Sequence, residues 1–213
     1  YNISKKFRIF FNIDQKVKIG NKNLILPPEH HLSMWNSLYE EYDNFLPKII
    51  SDIKENDSII DIGANVGDTL FRLMNANSKP NYYSIEGDEY FFKYLIKNKN
   101  LLEKKEFEKV TLINELVGEN LVGNLSATFI PESKSFNPGS KSLVQSEKGV
   151  KTKSLDDIIL DYKIENIKLI KVDVDGYDYN VLFSGINEIK KNKPDLFFEY
   201  MNLKKDNYLD LLK

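Results

Sequence analysis

Five short apolar runs stand out along the chain: Ser58–Ile62, Asn81–Ile85, Val110–Ile113, Ile167–Val174 and Leu196–Tyr200. They are rich in β-branched or aromatic residues, and their apolarity is continuous rather than alternating. That is the pattern of strands buried on both faces, as in a parallel sheet. Between the runs, apolar positions recur at helical spacing. Leu70, Leu73 and Met74 share one face after Gly67. Phe91, Tyr94 and Leu95 do the same after Asp88, a residue suited to cap a helix. Ser154 and Asp157 form a capping-box pattern ahead of Ile158 and Ile159. Val181 and Leu182 follow Gly176, and Gly185 interrupts their helix. The alternation predicts an α/β fold built on a mostly parallel, doubly wound sheet with helices on both faces.

Two regions break this rhythm. Residues 1–56 precede the first core strand and are expected to form a helical or lid segment, with Pro28–Ile53 carrying Trp35, Leu38, Tyr42 and Leu46 on one or two helices. Gly118–Lys153 stands where a helix is due. It holds two strand-like pieces, Ala127–Ile130 and Gly149–Lys153, around the polar stretch Pro131–Ser142, which reads as a loop facing the substrate. The domain proper is expected to run from residue 57 to 213.

Composition narrows the function classes. The 213 residues suffice for one α/β domain with a sizeable core, and the start at Tyr1 rather than Met fits a domain taken from a longer, multidomain polypeptide. Thirty basic and 32 acidic residues leave a net charge of −2, so there is no bulk electrostatic case for a nucleic-acid partner. The lysines of 97–105 read as a solvated helix face. The chain has no cysteine, which excludes disulfides, thiolate metal sites and a cysteine nucleophile. No apolar run reaches the ~20 residues of a membrane span, and a cytoplasmic location is the expectation.

The strongest chemical signal is Ile60-Asp61-Ile62-Gly63-Ala64-Asn65-Val66-Gly67-Asp68-Thr69, at a strand-to-helix turn. Gly63 and Gly67 permit a tight turn and close approach of a ligand to the backbone. A dinucleotide fingerprint would need G-x-G-x-x-G, and Asn65 stands where its second glycine belongs. Asp61 would repel a pyrophosphate but suits a cationic group. S-adenosylmethionine carries an ammonium and a sulfonium and no phosphate, so the electrostatics favour it over NAD. Glu86, followed by Gly87, lies 23 residues after Gly63 and ends the second strand, where an acidic residue accepts hydrogen bonds from ribose hydroxyls. Asn114 and Glu115, at the end of the third strand, are placed for an adenine edge. The cofactor site is thus expected to comprise Asp61, Gly63, Ala64, Asn65, Gly67, Asp68, Thr69, Glu86, Gly87, Asn114 and Glu115.

A second acidic cluster, Lys171-Val172-Asp173-Val174-Asp175-Gly176-Tyr177-Asp178, ends the fourth strand. Ligands of doubly wound sheets bind beyond the carboxyl ends of the strands, so Asp173 should face the same crevice as Asp61. There it is placed to take a proton from a substrate hydroxyl. With Glu199, at the end of the fifth strand, it makes the expected catalytic pair; a divalent ion held by the two is an open alternative. The plainer reading of Asp175 and Gly176 is the start of a helix.

Asp61-Ile62-Gly63-Ala64-Asn65-Val66-Gly67, Glu86, Ser154-Leu155-Asp156-Asp157, Lys171 through Gly176, Val181-Leu182-Phe183-Ser184-Gly185 and Phe197-Phe198-Glu199 together resemble the FkbM family of methyltransferases, in that family's order and spacing from about residue 57 to 200. The resemblance implies a Rossmann-like class I methyltransferase fold, S-adenosyl-L-methionine as cofactor, and methyl transfer to a hydroxyl, commonly on a sugar or polyketide scaffold. This sequence departs from the family in having Glu86-Gly87 for Glu-Pro and Asp173-Val174-Asp175-Gly176 for Asp-x-Glu-Gly. Both changes keep the carboxylates. The chain also ends soon after the fifth strand, where an antiparallel edge hairpin is usual.

The expectation is therefore an O-methyltransferase acting on a sugar or glycan hydroxyl, such as that of a deoxyhexose. The alternatives are a non-sugar acceptor, or a non-catalytic glycan-binding module on the same fold. Amine methylation of nucleic-acid bases is disfavoured, because no Asn/Asp-Pro-Pro-aromatic motif follows the fourth strand. An NAD(P)-dependent oxidoreductase is disfavoured by the glycine spacing and Asp61. His30 and His31 are the only histidines. A surface or capping role is expected for both, with a role as base only if the leading segment folds over the crevice. Tyr177 and Tyr200 read as packing residues.

Overall fold

A computed structural model describes residues 2–34, 45–118, 152–174 and 176–199, together with two short strands at 125–128 and 142–145. Trp35, Leu38, Tyr42, Asp175, Tyr200 and the polar stretch from Pro131 to Lys141 lie outside the described residues. In chain order the strands are β1 (Gln15–Ile19), β2 (Lys22–Leu26), β3 (Ser58–Ile62), β4 (Asn81–Ile85), β5 (Val110–Ile113), β6 (Leu116–Val117), β7 (Leu125–Thr128), β8 (Ser142–Gln145), β9 (Thr152–Lys153), β10 (Ile167–Val172) and β11 (Asp195–Phe198). The helices are α1 (Asn2–Phe10), α2 (Leu46–Ile49), α3 (Asp68–Ala76), α4 (Glu89–Lys99), α5 (Lys104–Phe107), α6 (Leu155–Asp161), α7 (Asp178–Ser184) and α8 (Ile186–Asn192).

The central sheet has five strands in the order β11-β10-β3-β4-β5, and every neighbouring pair in it is parallel. The expected doubly wound sheet is therefore present. β3, β4 and β5 span the residues foreseen for them, whereas β10 stops at Val172 and β11 at Phe198. All five residues of β3 are buried because both faces of the sheet are covered. On one face Ile59, Tyr82, Val110 and Leu169 pack against Leu70, Phe71, Leu73 and Met74 of α3 and Phe91, Tyr94 and Leu95 of α4. On the other, Ile60, Ile62, Ile85, Ile113, Ile170 and Val172 meet Leu155, Ile158 and Ile159 of α6 and Val181 and Leu182 of α7.

The caps fall as expected. The Asp88 carboxylate accepts from the N–H groups of Tyr90 (2.7 Å) and Phe91 (3.1 Å), and the Ser154 hydroxyl oxygen accepts from the Asp157 N–H at 3.0 Å. Gly185 separates α7 from α8.

The leading segment holds the helices α1 and α2, and residues 35–44 of the foreseen helices lie outside the described residues. Its described part contains an antiparallel hairpin, β1–β2, whose register runs from Gln15–Leu26 to Ile19–Lys22. The alternation in Lys22–Leu26 puts Leu24 and Leu26 inward, and both join the same buried cluster as α3 and α4. The Asn75 side chain of α3 donates to the Ile19 carbonyl at 2.8 Å and fastens the hairpin tip. In the region after Gly118, β6 pairs with β9 in parallel and β7 with β8 antiparallel. Ala127 and Thr128 of the first foreseen strand-like piece lie in β7 and Thr152 and Lys153 of the second in β9; residues 129–130 and 149–151 lie outside the described residues.

Candidate active site

β3 and β10 lie side by side at the sheet's centre, yet the chain leaves β3 for β4 on one flank and β10 for β11 on the other. This is the topological switch point of a doubly wound sheet, where a crevice opens beyond the strand ends. Gly63 and Asp173 leave the two strands there. Gly63 has φ +77°, and a Cβ on it would stand 2.0 Å from the Asp173 carbonyl oxygen, so only glycine lets the two strand ends close on each other. Asn65 and Gly67 also lie in the left-handed region, at +49° and +92°. Asparagine tolerates that region better than other side-chain-bearing residues, which accounts for Asn65 where a dinucleotide motif has glycine.

The turn's backbone donors are largely spent within the protein. Gly63 and Ala64 both donate to the Ile85 carbonyl (3.0 Å each), Gly67 donates to that of Ala64 (2.8 Å), and Asn65 donates to Glu86 Oε2 (2.8 Å). A pyrophosphate site keeps such N–H groups aimed at the ligand. Here the N–H groups of Gly63, Ala64, Asn65 and Gly67 are turned to protein acceptors, and the neighbouring side chains are the carboxylates of Asp61, Asp68 and Glu86. The donor set fits a phosphate-free, cationic cofactor.

Glu86 organises this edge of the crevice. Its second oxygen accepts from the Asp88 N–H at 2.8 Å, while the Asn114 amide donates to the Glu86 backbone carbonyl at 2.7 Å. The ends of β4 and β5 and the glycine turn are thereby joined. A Cβ on Gly87 would stand 2.5 Å from Leu116 Cδ2, so the chain passes close to β6 here. Ala64 and Thr69 are buried in the layer beneath the turn. Asp68, half-buried, opens α3.

Asp61 is 2% exposed, and its partner is a residue to which the sequence alone assigns no role. The parallel register sets Lys171 of β10 directly beside Asp61 of β3. The Lys171 ammonium, itself 3% exposed, stands 3.0 Å from Asp61 Oδ1 and 3.5 Å from Asp173 Oδ2. It also donates to the Gly63 carbonyl at 3.4 Å. Burial would depress the lysine, but the charges of Asp61 and Asp173 outweigh it and hold Lys171 above its ordinary range, so it is a cation at neutral pH. The positive charge that Asp61 was expected to find on a cofactor is supplied in part by the chain itself. The signal was a lysine inside an apolar strand, Ile-Lys-Leu-Ile-Lys-Val, but its partner is visible only once the register is known.

Asp173 points outward, with its side chain 54% exposed. Glu199 stands near it at the end of β11, and its N–H donates to the buried Asp178 carboxylate at 3.2 Å. Loss of solvent, with the negative charges of Asp173 and Asp178, pushes the Glu199 carboxyl upward. The structure thus gathers Asp173 and Glu199 at one edge of the crevice. Among the described residues, no group of three or more His, Asp or Glu is arranged to hold a metal ion. No helix among them is long and apolar enough to cross a membrane. His31 is buried, whereas His30 is partly buried and reaches the glycine turn, with Nε2 3.2 Å from Asn65 Oδ1.

An open parallel sheet with an acidic, phosphate-averse turn at its switch point defines a Rossmann-like methyltransferase domain. The sequence profile of the methyltransferase FkbM domain matches residues 61–211, and the chain belongs to the FkbM methyltransferase family. S-adenosylmethionine is the cofactor this membership brings with it. No curated protein matches the chain. Among solved structures it is similar to TYW2 of M. jannaschii in complex with AdoMet (18% identity, TM-score 0.35, covering 48% of this chain and 43% of that one). It is also similar to the precorrin-6y C5,15-methyltransferase of Geobacter metallireducens (12%, 0.44, covering 79% and 64%). A third is the precorrin 8w decarboxylase of Methanobacterium thermoautotrophicum (14%, 0.44, covering 80% and 69%). The chain spans 43% and 64% of the length of the first two.

Proposed function

We propose that this domain is an S-adenosylmethionine-dependent O-methyltransferase whose acceptor is a hydroxyl of a sugar or glycan, with Asp173 as the residue that takes the hydroxyl proton. The observation that carries the reading is the placement of Asp173. It is a solvent-accessible carboxylate beside Gly63, at the switch point, fixed from behind by the Lys171 ammonium. Asp61, Gly63, Ala64, Asn65, Gly67, Asp68, Thr69, Glu86, Gly87, Asn114 and Glu115 would form or support the cofactor pocket, with Glu86 on the ribose.

Bound S-adenosylmethionine supplies an electrophilic methyl group on a sulfonium. The protein's part is to hold an acceptor hydroxyl in line with that methyl, which carries much of the rate in a bimolecular transfer. As the oxygen–methyl bond formed and the methyl–sulfur bond broke, leaving neutral S-adenosylhomocysteine, the acceptor oxygen would become acidic and Asp173 would take its proton. Glu199, whose carboxyl is pushed upward by lost solvent and by the charges of Asp173 and Asp178, is placed to hydrogen-bond a neighbouring hydroxyl of the acceptor. The polyhydroxylated character of a glycan matches this pair of outward carboxylates.

The test is to incubate the domain with S-adenosylmethionine and a panel of sugar nucleotides and deoxyhexose-bearing oligosaccharides, with and without chelator, and to look for a mass gain of one methyl group. A gain on a sugar hydroxyl that is lost in Asp173→Ala, with cofactor binding retained, is the expected result. Methylation confined to amine-bearing or non-sugar acceptors would overturn the sugar assignment, and full turnover in Asp173→Ala would overturn the role of that residue. Comparing the chelator arms decides whether a divalent ion takes part.

A further inference from the structure

We infer that the leading segment is a working part of the cofactor site, and that His30 is a positioning residue which holds Asn65 of the glycine turn through an Nε2–H···Oδ1 hydrogen bond. The inference rests on the proposed role of that turn in binding S-adenosylmethionine. His30 itself lies outside the motifs of the methyltransferase core.

The segment is seated by a chain of specific contacts. The Gln15 side chain, at the start of β1, donates to the carbonyls of Pro27 (3.0 Å), Pro28 (3.0 Å) and His30 (2.9 Å), and accepts from the Ser33 hydroxyl (3.0 Å). One buried amide therefore sets the course of the backbone through residues 27–33. The His30 ring is then fixed on three sides. The Leu32 N–H points at Nδ1 (3.2 Å), the edge of Phe91 packs against the ring at a centroid separation of 5.9 Å and an interplanar angle of 84°, and Nε2 faces Asn65 Oδ1.

The contact from Leu32 decides the tautomer. A nitrogen that accepts an N–H carries no proton, so the neutral ring bears its hydrogen on Nε2 and donates to Asn65. Asn65 is the non-glycine residue of the turn held in the left-handed region, and its own N–H is tied to Glu86. The contact with His30 adds a side-chain tether to this backbone one. A second tether runs in parallel. Asn98 of α4, fully buried, exchanges hydrogen bonds with Ile25 of the hairpin (2.7 and 2.9 Å) and donates to the Val66 carbonyl of the turn (2.8 Å). The leading segment is thus joined to two successive residues of the turn.

The test measures affinity for S-adenosylhomocysteine, the demethylated cofactor, by calorimetry on the whole chain. His30→Phe keeps a ring against Phe91 and removes the donor; His30→Gln keeps an N–H donor. Asn65→Gly keeps the left-handed backbone and removes the acceptor. For a neutral hydrogen bond the expected loss is about 10-fold in His30→Phe, with recovery to within about 3-fold in His30→Gln. In the Asn65→Gly background, His30→Phe should cost nothing more. Wild-type affinity in His30→Phe overturns the inference, as does full additivity of the two losses. Should His30→Phe melt well below wild type, His30→Gln against Asn65→Gly decides: the former binding as wild type and the latter about 10-fold weaker supports it, and equal losses overturn it. Failure of the unmutated chain to bind S-adenosylhomocysteine overturns the cofactor reading itself, a result distinct from any of these.

Discussion

Lys171 and Asp61 stand side by side in neighbouring parallel strands, with 3.0 Å between ammonium and carboxylate and almost no solvent at either. Asp61 therefore anchors the end of β10. Removing one member of a buried pair leaves the other uncompensated, at a cost of about 3–5 kcal/mol, whereas replacing both by apolar residues is often neutral. Lys171→Met is expected to lower unfolding free energy by that amount in urea melts. Lys171→Met combined with Asp61→Leu should restore most of it while leaving S-adenosylmethionine binding impaired. If the double variant binds the cofactor normally, Asp61 serves the fold and not the ligand.

Gly63 and Gly67 both occupy left-handed backbone, but what a side chain would meet differs. At Gly63 it is the Asp173 carbonyl at 2.0 Å, which cannot move without parting β3 from β10; at Gly67 it is the tip of Leu95 at 2.8 Å, which can swing aside. Strained backbone of this kind costs about 1–3 kcal/mol before any clash. Gly63→Ala should therefore lose roughly 2 kcal/mol more than Gly67→Ala in matched denaturation curves, and with it cofactor affinity. Equal losses at the two positions would show that the contact with Asp173 is not tight.

Much of the site could be read from local sequence, because its parts lie at strand ends and a strand end is a local feature. Asp61, Gly63, Glu86, Asn114 and Asp173 follow apolar runs and meet at one edge of the sheet. What escaped depends on pairing. The role of Lys171 follows only from the register that sets it beside Asp61. The hairpin of residues 15–26 is marked in the sequence only by two five-residue runs around the turn pair Gly20-Asn21, a weak signal on its own. Its partners, α3 and α4, are distant in sequence. The partner of His30 is not legible locally for the same reason: Asn65 lies 35 positions away, and only the folding of the leading segment brings the two together.

Asn98 offers a sharper measure of that long-range join. Asn98→Leu would strand the N–H and carbonyl of Ile25 and the carbonyl of Val66. Each buried polar group left unsatisfied costs about 1–3 kcal/mol, so a total near 3 kcal/mol or more is expected. Hydrogen exchange should localise the effect, with the Ile25 amide losing protection more than the amides of β3. Uniform loss of protection through the sheet would mean that Asn98 acts on the whole core and not on the join.

The His30–Asn65 contact also carries a pH dependence of known sign. Burial is the largest influence on the imidazole and takes it below the usual 6.5, with His31 adding to the depression. The Asp68 and Glu29 carboxylates and the hydrogen bond to Asn65 pull the other way without reversing it. The folded protein thus accepts this proton at lower pH than the unfolded chain. The stability contributed by the neutral ring is complete above about pH 6.5 and is lost as pH falls through the folded value. Protonation puts a hydrogen on Nδ1 and expels the Leu32 N–H that faces it, so the ring loses the contact that fixes its orientation. Melting temperatures of wild type and His30→Gln, compared from pH 7.5 to 5.0, cancel the carboxylates common to both proteins. The advantage of wild type over the variant should shrink on acidification. A constant difference across the range would show that His30 is not held neutral, and with that the tautomer assigned from Leu32 would fall.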